Sequence, residues 1–474
     1  MDRRRIGACM ENYQDYECLE IKSIHELYFE TVARHADETA FEYSGGAVTY
    51  SELNGRVLRA ASRMLPYQGK QVFVGVLDPL KFAIAYFSCI LSGCVAVLGA
   101  PTDYNVFQKS GGNAQLCITD SFVFDGSAEK VPFGAYSVSD TDAVCTILHS
   151  SGTEGAPKWV MLSHANICSN IVSGLRKYLM QRVDVFYNII PYYHAFGLIC
   201  DFLAPLFVGA KICVPDKKEL FFSQMPVFCP TALNVPPAVA ARLNHYISAA
   251  GSAAAVTGGR LKKILCGGAG LAAEISKTLR KQGINALGCY GLSECSPCVS
   301  VNRDEYYKDG SAGIPLGCND VSIGSDGEVL VSGTNVMKGY YGDEAETRRI
   351  LSGGVLHTGD LGRIDGDGFL FITGRKKNVI VFDDGTKCSP ETYEAQIIAH
   401  TDAEEALIRV GNGHAMRLEA VIYVEDNSKQ DEIRKYIADL DIKKRIASVL
   451  FTNTPLPKNN LGKVQRNYEK RRRY

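Results

Sequence analysis

Residues 150–158 read Ser-Ser-Gly-Thr-Glu-Gly-Ala-Pro-Lys, which gathers three hydroxyls, two glycines and one ammonium into nine positions. Glycine exposes backbone N–H groups, and hydroxyls and a lysine add further donors, so such a loop can cradle a polyphosphate. A Gly/Ser surface turn is the plainer alternative for the stretch taken alone. No G-x-x-x-x-G-K-[ST] occurs anywhere in the chain, so this is not a Walker loop. Five other stretches carry chemistry-bearing residues. They are Pro191-Tyr-Tyr-His194-Ala-Phe196-Gly197, Cys289-Tyr290-Gly291-Leu292-Ser293-Glu294, His357-Thr-Gly-Asp360, Arg375-Lys376-Lys377, and Leu456-Pro-Lys-Asn-Asn-Leu-Gly-Lys463. Singly, each has a structural reading: His194 as a satisfied core histidine, Asp360 as a turn former, Lys463 as a surface lysine.

The elements that must position these residues are legible from periodicity. Ala143–Leu148 is an apolar, β-rich run before the loop, and Trp159–Leu162 is a second short strand after it. Ser163 then caps a helix through Ile167, Ile171 and Leu175. Upstream, a helix from Leu53 to Leu65, a strand Val72–Leu77, a helix Phe82–Leu91 and a strand Val95–Leu98 make a β-α-β unit. The alternation continues through strand Asp184–Ile190, helix Leu198–Val208, strand Lys211–Val214, helix Pro237–Tyr246 and strand Lys263–Cys266. This predicts an α/β fold with mostly parallel sheet and helices on its faces, ligands lying near strand C-terminal ends. After about Gly310 the texture becomes β-rich, with Asp326-Gly327 and Asp365-Gly366 turns. The last hundred residues are long enough for a small α+β domain. The expected division is 1–374 as the core, 375–379 as a hinge and 380–474 as a lid.

At 474 residues the chain exceeds one simple core. Its 51 Lys+Arg against 52 Asp+Glu give no electrostatic reason to expect nucleic acid as a partner. The charged N-terminus is not followed by an apolar leader region, and no transmembrane span is expected; Phe82–Pro101 is broken by serines and glycines. The 16 cysteines lack framework spacing and read as reduced core thiols of a cytoplasmic protein. The single Cys295-Ser-Pro-Cys298 pair has no second pair beside it, which weighs against a zinc or redox site.

Together and in this order, the six stretches resemble the adenylate-forming superfamily of acyl-CoA synthetases, luciferase-like enzymes and adenylation domains, over nearly the whole chain. The resemblance implies activation of a carboxylic acid by ATP as acyl-AMP, with release of pyrophosphate, then transfer to a thiol. It implies ATP with Mg²⁺, and CoA or an acyl-carrier protein as acceptor. By resemblance, Ser150, Ser151, Gly152, Thr153, Gly155 and Lys158 hold the phosphates, Glu294 takes Mg²⁺ and Ser293 keeps a hydroxyl for the α-phosphate. Gly267, Gly268, Ala269, Tyr290 and Gly291 flank the adenine. Asp360 and Arg375 take the ribose. Lys463 bridges carboxylate and phosphate from the lid, which turns about Lys377. Gly385 lies where the thiol arm passes, in a segment closest in motif to long-chain acyl-CoA or acyl-carrier-protein synthetases.

His194, Phe196, Gly268 and Gly291 are the expected walls of the acid pocket. Ala195 stands where amino-acid-activating relatives have Asp, which favours a fatty or other apolar acid, since a buried ammonium would lack its anion. An aryl or amino acid adenylation enzyme loading a carrier protein, or a degenerate nucleotide-binding pseudoenzyme, are the alternatives. The latter arises because Glu154 and Trp159 depart from the usual Thr and Gly.

Overall fold

The computed structural model describes residues 20–122, 138, 140–150, 158–178, 180–382, 384, 386–411, 417–440, 442, 445–458 and 464–466. Ser151, Gly152, Thr153, Glu154, Gly155, Gly385 and Lys463 therefore lie outside the described residues. The α/β alternation forms two sheets rather than one. Strands Ala114–Thr119, Gln71–Gly75, Val95–Leu98 and Val144–His149 run parallel, and Trp159–Ser163 and Gly339–Tyr340 close that six-stranded sheet antiparallel. The nine-stranded sheet has a parallel centre from Thr39–Tyr43 to Asn285–Gly291, with antiparallel strands at both ends.

Helices Pro79–Leu91 and His164–Leu175 are buried along most of their lengths, matching their scarcity of charged residues. One apolar cluster runs from Val72 and Ala96 of the smaller sheet, through Phe82, Phe87 and Phe202, to Phe186 and Ile212 of the larger. Ser163 caps its helix as its sequence predicts: its hydroxyl accepts from Asn166 N, and Asn166 Oδ1 accepts from Ser163 N. That reciprocal cap fixes where the hairpin carrying residues 150–158 ends.

Two predicted elements differ. The strand expected over 184–190 is Val185–Tyr187 only, because beyond it Asn188 turns its amide onto Asp201 and the Ile190 carbonyl. The helix expected over 198–208 is π-helical over Gly197–Leu203 and α-helical over Ala204–Phe207. Both of its faces are buried, and Asp201 within it is held by Asn188 and Asn234.

The β-rich region is an antiparallel sheet of Asn319–Ile323, Glu328–Gly333, Leu351–Ser352, Val355–Ile364 and Leu370–Arg375. Beyond residue 380 the chain has its own apolar cluster, including Phe382, Ile397, Ile408, Ile422 and Ile433. It lies between a three-stranded sheet and helices Pro390–His400 and Gln430–Asp439.

Candidate functional site

Three sequence-predicted residues meet where the larger sheet abuts the β-rich one. Tyr290 is the penultimate residue of the Asn285–Gly291 strand. Its hydroxyl donates to Asp360 Oδ2 at 2.7 Å, and Arg375 Nε forms an ion pair with Asp360 Oδ1 at 2.8 Å. Asp360 and Arg375 face each other in register on neighbouring strands, which is why two residues so separated in sequence meet. The turn ahead of Asp360 is tied down from below. Buried Glu328 accepts from Gly359 N at 2.8 Å and Lys376 Nζ at 3.0 Å and lies 3.2 Å from His357 Nδ1. Burial, then the Asp360 charge, pushes the Tyr290 phenol well above its usual range, so it remains a donor. Each Asp360 oxygen keeps a further lone pair, which suits it to accept from neighbouring hydroxyls.

A second group lies along the edge of the smaller sheet. Lys158 Nζ pairs with Glu346 and sits 5.0 Å from the centroid of the Tyr340 ring. Tyr340 in turn donates its hydroxyl to Glu294 Oε1 at 2.6 Å. Backbone pairing explains the assembly: Tyr340 is the register partner of Val160, and Tyr341 N donates to Trp159 O at 2.7 Å. Residues 339–346 are thereby laid alongside Lys158. Glu346 also binds Arg349, through Nε at 2.5 Å and Nη2 at 2.7 Å. Arg349 first, and Lys158 with it, hold the Glu346 carboxyl down at about 2, so it is ionised throughout the working pH range. Trp159 does not stand in this group. Its indole is buried, 4.8 Å from Phe107 and 5.4 Å from His149.

Beside these groups opens a largely apolar cavity offering about 90 Å³ to the centres of water-sized molecules. All four predicted wall residues, His194, Phe196, Gly268 and Gly291, line it, together with Gly267 and Ser293. Two of the glycines are required by close approach. A Cβ at Gly267 would come 2.9 Å from the Phe196 ring, and one at Gly291 only 2.1 Å from the Pro297 carbonyl oxygen. His194 is buried, and its Nε2 has no hydrogen-bond partner among the described residues. Burial, then His149, lowers its titration to about 4, so the ring is neutral. Cys200 and Cys298, 3.6 Å apart at sulfur, lie at the margin, and Cys298 lines the cavity. Cys295 is buried as a free thiol.

Of the remaining predicted residues, Ser150 is buried and its N–H donates to Lys158 O at 2.8 Å, closing the base of the hairpin loop. Ala269 is exposed next to Gly268, which adopts a left-handed φ of 87°. Lys377 is exposed in the single turn Lys376–Asn378. Sequence reasoning missed His149, Tyr340, Glu346 and Glu328. His149 directly precedes the loop and could have been noticed, whereas the partnerships of Tyr340, Glu346 and Glu328 have no local signal.

The family described as AMP-binding enzyme matches residues 113–341. Feruloyl-CoA synthase of Amycolatopsis sp is 28% identical over 92% of this chain and 96% of its own length. 4-Coumarate--CoA ligase 1 of Solanum tuberosum is 31% identical, over 88% of this chain and 87% of its own. The structure of O-succinylbenzoate coenzyme A synthetase from Bacillus subtilis, in complex with ATP and magnesium ion, superposes with a TM-score of 0.80. It is 22% identical and covers 94% of this chain and 99% of that one.

Proposed function

Because this chain belongs to the AMP-binding enzyme family, we propose that it activates a compact, ring-sized apolar carboxylic acid and passes the acyl group to coenzyme A. It is an AMP-forming acid–thiol ligase. The observation that carries the substrate reading is the cavity beside Tyr290 and Glu294. At water's share of about 30 Å³ in the liquid, 90 Å³ corresponds to roughly three waters. That suits an aromatic ring with a short linker better than an extended fatty chain. The names of the relatives, feruloyl-CoA synthase and 4-coumarate--CoA ligase, point the same way.

The chemical problem is to join two anions. ATP supplies the adenylyl group that activates the acid as its α-phosphorus bond to pyrophosphate breaks, and the protein must offset repulsion and the charge that develops on pyrophosphate. Asp360 accepts the ribose hydroxyls while Arg375 and Tyr290 hold its carboxylate in place. Gly267, Gly268, Ala269 and Gly291 let backbone approach the purine closely. Lys158, with Ser150, Ser151, Gly152, Thr153 and Gly155, meets the phosphates, and Ser293 offers a hydroxyl to the α-phosphate. Glu294 offers one hard carboxylate. Among the described residues no group of three His, Cys, Asp or Glu stands ready to cage a metal. That donor set fits magnesium, which keeps its waters and phosphate oxygens and needs few protein ligands. Neutral His194 closes the acid end without adding charge. Lys463 completes the set from a C-terminal lid of residues 380–474 that turns about residues 375–379 at Lys377, with the thiol arm passing Gly385.

No helix of the described residues is long and apolar enough to cross a membrane, and the proposed compartment is the cytoplasm. The reading is tested by ATP–pyrophosphate exchange across hydroxycinnamic, benzoic and fatty acids, followed by transfer assays with CoA and with carrier protein. Exchange supported best by ring acids, with CoA as acceptor, is expected. Exchange with long-chain acids only, or acylation of carrier protein only, would overturn the substrate or acceptor assignment. ATP binding with no acid-dependent exchange would make the chain a pseudoenzyme.

A further inference from the structure

Lys158, assigned above to the phosphates, already has an anion. Glu346 reaches it from the segment that pairs with the Trp159–Ser163 strand, and Glu346 has a second cation of its own in Arg349. The arrangement is asymmetric. Glu346 is largely buried, its side chain 16% exposed, whereas Lys158 is 37% and Arg349 69% exposed. If Lys158 turned away, Glu346 would still keep two hydrogen bonds from the Arg349 guanidinium, spread over both carboxylate oxygens. A half-buried carboxylate that loses its sole cation is costly, but one that retains a bidentate partner is not.

From this geometry we propose that Glu346 is a positioning residue, an internal counter-ion that parks the Lys158 ammonium until nucleotide arrives, with Arg349 holding Glu346 once Lys158 leaves for the phosphates. The triphosphate competes with Glu346 for one lysine, so the pair sets the apparent affinity for ATP. The Tyr340 ring beneath the ammonium, 5.0 Å away, gives the lysine a surface over which to swing between its two anions. The proposal rests on Lys158 being a phosphate ligand, and its test separates the two ideas.

ATP–pyrophosphate exchange is measured for Lys158→Ala, Glu346→Gln, Arg349→Gln and the Glu346→Gln/Arg349→Gln pair, with thermal melting as a check that each folds. Lys158→Ala is expected to raise the KM for ATP more than ten-fold; no change would remove Lys158 from the phosphate site and the proposal with it. Given that rise, Glu346→Gln is expected to lower the KM for ATP by roughly three- to ten-fold with kcat little changed. Arg349→Gln is expected to raise it, since Glu346 then clings to Lys158 alone, and the double variant should behave like Glu346→Gln. A merely structural ion pair cannot give opposite signs that collapse onto one partner. An unchanged or raised KM in folded Glu346→Gln, beside a defective Lys158→Ala, would overturn the proposal. Should Arg349→Gln fail to fold, Glu346→Gln decides alone.

Discussion

The two sides of the Asn285–Glu294 stretch treat their polar groups in opposite ways. On the sheet edge and at Asp360 each predicted charge meets protein: Lys158 with Glu346, Glu294 with Tyr340, Asp360 with Tyr290 and Arg375. In the cavity next door, His194 is buried with Nε2 unsatisfied among the described residues, amid glycines, two prolines and thiols. Charges cannot wait in a half-buried cleft unpaired, so the ionic side is preorganised by partners that a ligand must share or displace. A neutral imidazole can wait, at a cost of about 1–3 kcal/mol for the missing hydrogen bond. On the proposed function, the ionic side tunes nucleotide affinity, whereas the cavity tunes the choice of acid.

Substitutions that separate the two sides test this contrast. Glu294→Ala should have the largest effect, lowering the exchange rate by on the order of 100-fold with the acid's KM little moved. A comparable rise in the acid's KM would break the division. Gly267→Val fills the space between Phe196 and Cys289; it should raise the KM for a ring acid by roughly ten-fold or more and, because Gly267 also flanks the purine on the proposed reading, raise that for ATP by a smaller factor. Kinetics with both substrates varied would read that split. Tyr340→Phe removes one hydrogen bond to Glu294, worth about 1.5–3 kcal/mol at most to a charged acceptor, and should shift the Mg²⁺ dependence of exchange several-fold without touching the acid.

The smallest effect on turnover, but a clear one on stability, is expected at Asp201 beneath the cavity. Burial raises its folded pKa to about 7 from the ordinary 3.8. Its contribution is therefore fully present below about pH 4 and is lost as pH rises through 7. His25, His164 and His194 are lowered by burial to about 4 from 6.5, so their contributions are present above pH 6.5 and lost as pH falls through 4. The two trends oppose each other between pH 4 and 7. Asp201→Asn, which keeps one of the two oxygens that accept from Asn188 and Asn234, should lose stability more steeply on acidification than the unmodified protein, as seen in melting temperature. An unchanged slope would mean Asp201 does not carry a proton in the native state.

Much of the local structure was legible before any tertiary contact was known, because caps, turns and strand alternation are local. Ser163 begins its helix where its side chain reaches Asn166 N, and Val144–His149 and Trp159–Ser163 are strands whose apolar side chains alternate or run into the core. Tyr290, Asp360 and Arg375 could be named by motif, and His194, Phe196, Gly268 and Gly291 could be named as walls. Asp360 and Arg375 were not visible as partners, since that depends on the register of two strands.

What the chain determined alone was its residue chemistry in order: a donor-rich loop, a strand ending in Tyr-Gly-Leu-Ser-Glu, an acceptor carboxylate, and a terminal lysine. Only the tertiary structure decided which of these charges are already spoken for. Lys158 and Glu346 lie 188 positions apart, and no periodicity or spacing joins them. They meet because Gly339–Tyr340 hydrogen-bonds to the strand that begins at Trp159, and a sheet edge brings together side chains without regard to their distance along the chain.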